Sequence, residues 1–331
     1  MKAMTYSRYG APDVLELDDL PQPVPKENEV LVRNHASVVS AADAQARAAD
    51  PAIARLHFGL IKPKWPVLGA TFSGVVDSVG SAVTRFERGD AVSGVNVAGF
   101  GAHAEYILVP QDGVVTTTPS GLTHEQTVAV FDGSLTALPF LRDHAQLRRG
   151  QSILINGASG AVGTAAVQLA KYYGATVTAV CSAANAALVR SLGADAVIDY
   201  HRADFTTAED TYDVIFDAVA KSSFRRSRGA LKKPGIYLTT VPSPAILAQM
   251  LWTSRFGSRK AKIAFTGLAQ PAAMTADLKF IAGLAESGHY VPVIDTVDLL
   301  EDAAAAHRRV SSGRKAGSAV LAIHPAGKLP S

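Results

Sequence analysis

Hydrophobic positions change their spacing about a third of the way along the chain. Before Pro119 they fall into short runs rich in β-branched residues, separated by turn formers. Glu29–Asn34, Gly74–Val79, Gly89–Gly94 and Ala104–Val109 read as strands, the third with its own turn and the last closed by Pro110. Short strands with frequent turn signals predict a barrel-like or sandwich-like β domain. From Thr123 to Leu141 the spacing becomes helical. Strands and helices then alternate: strands over Ser152–Asn156, Ala175–Val180, Ala196–Asp199, Tyr212–Asp217 and Gly235–Thr240, with helices over Ala161–Tyr173, Ala184–Leu192 and Phe224–Leu231. That alternation predicts an α/β fold built on a doubly wound parallel sheet. The tail reads as a helix (Ala276–Ser287), a strand (Val291–Ile294), a helix (Leu299–Val310) and a last strand (Ser318–Ile323). Spacing alone does not say which domain the tail joins.

Composition narrows the function classes. The chain has 331 residues, of which 48% are hydrophobic and 18% charged, which supports a large core and two domains. A net charge of +3, without a dense basic stripe, argues against nucleic acid as a partner. The first residues lead into a polar, proline-rich stretch with no apolar core of a secretory signal. The most apolar later stretch, Ile246–Phe256, is too short to cross a bilayer. A soluble cytoplasmic protein is expected, with no membrane partner. A single cysteine, Cys181, cannot form an intramolecular disulfide or a cysteine-rich zinc site.

The chemistry is concentrated in one turn, Asn156-Gly157-Ala158-Ser159-Gly160-Ala161-Val162-Gly163, between a buried strand and an apolar helix. Glycine serves there where φ is positive, where backbone must approach a pyrophosphate, and where helix packs on strand. The helix N-terminus then offers N–H groups and a positive dipole end to the phosphates. Glycines in strand–turn–helix context mark a dinucleotide site, whereas the bland alternative is a structural β–α turn. An NAD site usually carries Asp or Glu at the end of the next strand, for the ribose 2′-hydroxyl. Here that strand runs into Cys181-Ser182-Ala183-Ala184-Asn185, with no carboxylate. Ser182 and Asn185 are suited to a 2′-phosphate, so NADPH is favoured and NADH stays possible. The alternative is that these two residues cap the next helix.

These stretches resemble the zinc-independent, quinone oxidoreductase-like branch of the medium-chain dehydrogenase/reductase superfamily. The resemblance rests on the glycine turn together with Pro66-Val67-Leu68-Gly69, Gly74-Val75-Val76, Val79-Gly80 and Arg88-Gly89-Asp90-Ala91-Val92. It continues through Gly101-Ala102-His103-Ala104-Glu105-Tyr106, Leu135-Thr136-Ala137, Leu192-Gly193-Ala194-Asp195, Val197-Ile198-Asp199-Tyr200 and Pro292-Val293-Ile294-Asp295. It implies a GroES-like β domain over residues 1–120 and 266–331, a Rossmann domain over 121–265, an active site in a cleft between them, and a homodimer. By resemblance, Thr136 lies near the nicotinamide and phosphates, and Tyr200 lies by the 2′-phosphate. Asn185 falls where related reductases often carry a lysine. Ala218, Val219, Thr240 and Val241, at the ends of the fourth and fifth strands of the Rossmann pattern, complete the expected cofactor set with Gly157, Ala158, Ser159, Gly160, Ala161, Val162, Gly163, Ser182 and Asn185.

In the first domain, Ser40 replaces an Asn of the family pattern, Asp43 is kept, and Gln45 stands where some members have a tyrosine. Ser40 and Asp43 are the expected catalytic residues, with a structural role for each as the alternative and bulk water as an alternative proton source. His57, Phe58 and Trp65 form either an aromatic slot for a flat substrate or a loop cover. Zinc-dependent relatives need a Cys and a His-Glu pair; Ser37-Val38 and Gly69-Ala70-Thr71 occupy those places, so no metal is expected. Without a Lewis acid, hydride is more easily delivered to a quinone or an α,β-unsaturated carbonyl, because the negative charge spreads into a conjugated system. The arginines at 225, 226 and 228 and the basic stretch from Arg255 to Lys262 read as solvated surface. Alternatively they contact a thioester-carrier substrate, which would make the protein an enoyl-thioester reductase. A cofactor-binding protein with little turnover is a further alternative.

Overall fold

A computed structural model describes residues 1–50, 55–96, 99–266 and 269–324. The chain divides into two compact units, one formed by Met1–Asp132 with the chain from Ala269 onward, the other by Gly133–Leu268.

The first unit contains β1 (Lys2–Thr5), β2 (Glu16–Asp19), β3 (Glu29–Val39), α1 (Ala41–Ala48), α2 (Arg55–Phe58), β4 (Thr71–Val79), β5 (Ala91–Val95), β6 (Tyr106–Pro110), β7 (Val115–Thr117) and α3 (His124–Phe131). The second contains α4 (Ser134–Pro139), β8 (Ser152–Asn156), α5 (Ala161–Tyr172), β9 (Thr176–Cys181), α6 (Ala186–Ser191), β10 (Ala196–Asp199), β11 (Tyr212–Asp217), α7 (Phe224–Ser227), β12 (Leu231–Thr239), α8 (Pro244–Arg255) and β13 (Arg259–Ile263). The chain then returns to the first unit with α9 (Pro271–Glu286), β14 (Ile294–Leu299), α10 (Ala303–Ser311) and β15 (Ser318–Ala322).

In the first unit, seven strands run in the order β14-β15-β3-β4-β5-β7, with β6 pairing on β3. The sheet is antiparallel except between β14 and β15, so the tail joins it through β15 against β3. Its strands bury Val30, Val32, Phe72, Val76, Val92, Ile107 and Val115 in one core. A second core gathers Met4, Val39, Leu68, Ala303, Ala306 and Leu321 beneath α10.

The second unit is a six-stranded, wholly parallel sheet in the order β10-β9-β8-β11-β12-β13. Ile153, Leu154 and Ile155 of β8 are fully buried, as continuous apolar runs are when both faces of a strand are covered. The chain leaves β8 outward through β9 and β10, then returns to β11 and leaves the other way. The switch point therefore lies between β8 and β11, where Asn156 and Asp217 are register partners.

Several expectations need correction. The helix expected over Thr123–Leu141 is broken at Gly133, whose φ of 80° no other residue adopts cheaply. Its first part, α3, starts from a capping box between Thr123 and Gln126 and buries Val128 and Ala129 against Ala36, Val38 and Val320 of the first unit. The expected boundary at 120/121 accordingly falls at Asp132/Gly133. The second part, α4, runs past Pro139 into a wider π turn over Phe140–His144. The helix expected over Phe224–Leu231 stops at Ser227, because Leu231 already pairs with Tyr212 in the sheet. Pairing in the tail begins at Ile294 rather than Val291, and α10 is preceded by a 3-10 turn at Leu300–Asp302. The stretch Ile246–Phe256, expected to be too short for a membrane, supplies α8 as far as Arg255, with Phe256 extended at its C-cap and Ser243 capping the other end through the Ile246 amide. Among the described residues no helix is long and apolar enough to cross a membrane.

Candidate functional site

β8 ends at Asn156, and the chain turns through Gly157 to Gly160 into α5. Gly157 has a φ of 80°, and a Cβ there would overlap the side chain of Val219. A Cβ on Gly163 would overlap the Gly157 carbonyl oxygen, so the helix can approach the turn only with glycine there. Gly160 is different: a Cβ would meet only the Gly157 oxygen at 3.7 Å, an ordinary contact, so its smallness serves the open side of the turn. The turn is pinned from below by the Gly157 and Ala158 amides, which donate to the Val180 carbonyl at 3.1 and 3.0 Å. Gly160 caps α5 without a side-chain hydrogen bond, so the first-turn amides of Ala161, Val162 and Gly163 have no capping side chain and no preceding helical carbonyl to bond. A cradle that a Cβ would fill, beside free amides at the head of a twelve-residue helix, fits a pyrophosphate.

Two neighbours hold this cradle and were not among the expected residues. Gly133 precedes α4, and a Cβ there would overlap the backbone of Ala161 and Val162. α4 carries the half-buried Thr136, an expected cofactor contact, on the same segment. The other neighbour is Asp217, fully buried at the end of β11. Its Oδ1 accepts from Asn156 Nδ2 at 2.9 Å and from the Lys221 and Val219 amides at 3.3 and 3.4 Å. Its Oδ2 accepts from the Ser222 amide at 2.8 Å and the Tyr237 hydroxyl at 3.0 Å. Burial and the facing carboxylate push the Tyr237 hydroxyl well above its ordinary range, so it stays a donor. Asp217 thus draws in the loop after β11, which carries Ala218 and the half-exposed Val219, and ties it to the end of β8. Thr240 joins this group by donating from its hydroxyl to the Ala218 carbonyl at 3.3 Å, while Val241 beyond it is 42% exposed.

At the end of β9, neither expected capping role is found. Ser182 makes no side-chain cap bond, and Asn185 instead donates from Nδ2 to Ser159 Oγ at 3.0 Å, on the glycine turn. Tyr200 is exposed and packs its ring at a tilt on His201, with its amide 3.4 Å from the Cys181 carbonyl. Cys181 is buried, and burial with the nearby Asp199 charge pushes its thiol up, away from reactivity.

Residues 26–119 match the family described as "Alcohol dehydrogenase GroES-like domain", and residues 192–321 match the family described as "Zinc-binding dehydrogenase". The chain is 30% identical over 335 residues to the quinone oxidoreductase of Pseudomonas aeruginosa, covering 97% of this chain and 99% of that protein. The chain belongs to the medium-chain dehydrogenase/reductase superfamily. It is an oxidoreductase of that superfamily. It is also 36% identical over 230 residues to an NADPH-dependent alkenal/one oxidoreductase of Arabidopsis thaliana, covering 66% of this chain and 57% of that protein. The solved quinone oxidoreductase of Escherichia coli complexed with NADPH superposes with a TM-score of 0.83 at 25% identity, covering 98% of this chain and 100% of that one.

One matched family of this superfamily is described as zinc-binding, and the residues that the resemblance sets at the ligand positions are Ser37, Ala70 and Thr71. At the position of the first ligand, Ser37 is fully buried and donates its hydroxyl to the Thr71 carbonyl at 2.7 Å. Ala70 and Thr71 occupy the places of the His-Glu pair, and Ala70 has no donor atom. Among the described residues no three His, Cys, Asp or Glu side chains are arranged to hold a metal.

Ser40 and Asp43 lie in the same unit and form a capping box on α1. Asp43 accepts from the Ser40 amide and hydroxyl at 2.8 and 2.6 Å, and from the Gly69 amide at 2.9 Å; its own amide donates to Ser40 Oγ at 3.2 Å. Both carboxylate oxygens are therefore engaged, and the pair ties α1 to the Gly69 turn. Gln45 is exposed. His57, Phe58 and Trp65 do come together, with ring centroids 5.0 to 6.2 Å apart, and Phe100, absent from the sequence expectation, joins Trp65 at 5.5 Å. Phe58 and Trp65 are half-buried against the core, whereas His57 is exposed. Much of the basic surface is consumed within the second unit: Arg226 pairs with Asp204, Arg259 with Asp210, and Lys262 donates to the His144 carbonyl.

Proposed function

We propose that the protein is a zinc-independent reductase that uses NADPH to reduce a quinone or an α,β-unsaturated carbonyl. The observation that carries this reading is the glycine turn, with its unbonded helical amides and the buried Asn156–Asp217 pair beside it at the switch point. The bound dinucleotide would supply the hydride. Ala161, Val162 and Gly163 would hold the pyrophosphate through their amides, and the Asp217-tethered loop would flank the rest of the cofactor. Thr136 stands on the segment that Gly133 brings against α5. Ser182 and Tyr200 would serve the ribose end of the cofactor, while Asn185 would act through Ser159 on the turn itself.

The donor set at the zinc positions supports acceptors whose reduced form delocalises charge into an enolate or hydroquinone anion, which hydrogen bonds can stabilise. Relatives with quinone and alkenal acceptors support the same class. With both Asp43 oxygens engaged, Ser40 and Asp43 act as positioning residues for α1 and the Gly69 turn of their own unit, and the proton comes from solvent. The aromatic group around Trp65 is the proposed wall for a flat acceptor. A homodimer belongs to the same reading. The test is NADPH oxidation against quinones, enones, enals and simple aldehydes with a chelator present. Turnover of the conjugated acceptors that survives the chelator is expected; activity confined to aldehydes, or abolished by the chelator, would overturn it.

A further inference from the structure

The loop that follows β9, Ser182 to Asn185, carries no Lys or Arg for a 2′-phosphate. Asn185 stands nearby but spends its amide on Ser159. Arg190 lies in the last turn of α6, eight residues beyond Ser182, and its charge is felt at the Cys181 thiol. The neighbouring strand leads to a second charge, on the turn that follows it. β10 pairs with β9 in register Asp199–Cys181, and the Tyr200 amide points at the Cys181 carbonyl. Neighbouring strands lie about 4.8 Å apart, so the turn after Asp199 flanks Ser182.

That turn is built by Asp199. Its carbonyl accepts from the Arg202 and Ala203 amides at 2.9 and 3.0 Å, and its Oδ1 accepts from the His201 amide at 3.1 Å. The turn folds Arg202 back over the strand end. Its Nε lies 3.7 Å from Asp199 Oδ2, too long for a hydrogen bond, and the side chain is 86% exposed. An exposed pair at that distance is weak. The contact keeps the guanidinium near the β9–β10 edge, beside Asp199.

We propose that Arg202 is the residue that selects NADPH over NADH, by leaving Asp199 to form a charge-assisted hydrogen bond with the 2′-phosphate. The inference rests on the dinucleotide reading of the glycine turn and adds to it the source of 2′-phosphate recognition. A guanidinium suits the task because its planar fork matches phosphate oxygens.

The test compares binding of 2′,5′-ADP and 5′-AMP, by calorimetric titration, to the wild type, Arg202→Ala and Arg202→Lys, with KM for NADPH and NADH as a second readout. Because Arg202 is exposed, Arg202→Ala should fold normally. The wild type should prefer 2′,5′-ADP. Arg202→Ala should weaken 2′,5′-ADP and raise the NADPH KM by roughly tenfold or more, the size of one charged hydrogen bond, with 5′-AMP and NADH changed less than about twofold. Arg202→Lys should recover part of the loss. If Arg202→Ala leaves 2′,5′-ADP binding unchanged, or weakens both nucleotides equally, Arg202 is not the selector although the dinucleotide site stands. A wild type that binds neither nucleotide would overturn both the selector and the site.

Discussion

Replacing Asp217 with asparagine keeps its shape and removes its charge at the switch point between β8 and β11. The carboxylate accepts five hydrogen bonds, three on Oδ1 and two on Oδ2. The introduced amide nitrogen would settle at the Oδ2 place, because the other orientation loses three donors instead of two. Tyr237 can rotate its hydroxyl and accept from that nitrogen, since a hydroxyl does both. The Ser222 N–H cannot, and it is left facing a donor. A buried unsatisfied N–H costs about 1–3 kcal/mol, and the bonds remaining on Oδ1 weaken once their acceptor is neutral. The relief of no longer burying a charge works the other way and leaves a net loss of about 2 kcal/mol. At a urea slope of about 2–3 kcal/mol/M, that lowers the midpoint for the second unit by roughly 0.7–1 M. Urea unfolding followed by far-UV circular dichroism measures it. Tyr237→Phe alone should cost about 1 kcal/mol, and the double variant should lose less than the two losses added, because they share one acceptor. An Asp217→Asn variant as stable as the wild type, or strict additivity with Tyr237→Phe, would show that the carboxylate does not organise the loop.

Three other outcomes follow from the same geometry. Burial holds His35 down to about 4, with the His124 charge as the next cause, and holds His307 down to about 2, so both are neutral when folded. Their contribution to stability is complete above the unfolded value of about 6.5 and is lost as pH falls from there toward those folded values; urea midpoints measured from pH 8 to pH 4 should decline below pH 6.5, and a flat profile would contradict this. Gly133→Val forces a side chain into a φ of 80° and onto the Ala161–Val162 backbone, so it should weaken NADPH binding in a fluorescence titration by at least about tenfold or prevent folding; a well-folded variant with wild-type affinity would separate Gly133 from the cradle. Ser40→Ala removes a cap and should cost about 1 kcal/mol in a denaturation curve while leaving kcat within about twofold, whereas a large kcat loss at unchanged stability would restore a catalytic role for the hydroxyl.

The glycine turn was readable because everything it needs is local: a buried strand, three glycines and an apolar helix within one short segment. The parallel sheet was readable for the same reason, through alternation at regular spacing. Asp217 was not readable, since its partners lie 61 residues upstream on β8 and 20 downstream on β12, and only the strand order brings them together. Arg202 is hidden similarly, because it reaches the end of β9 through β10. The Ser40-x-x-Asp43 spacing is a capping-box signature, so the structural role of that pair was open to a reading of spacing alone. The unit boundary moved to Gly133 because the apolar face of α3 belongs to the first core, which periodicity cannot assign. β1, β2 and β13 are short strands whose pairing depends on distant partners, and periodicity gives them little signal.

The central claim is that the turn from Gly157 to Gly163 binds a nicotinamide dinucleotide. Its most direct test is a titration of NADPH and NADH into the purified full chain, followed by quenching of intrinsic fluorescence and by calorimetry. Saturable one-to-one binding, tighter for NADPH and abolished or weakened at least about tenfold by Gly160→Asp, which sets a carboxylate against the pyrophosphate, is the predicted result. Absence of saturable binding of either nucleotide, or binding untouched by Gly160→Asp, would contradict it.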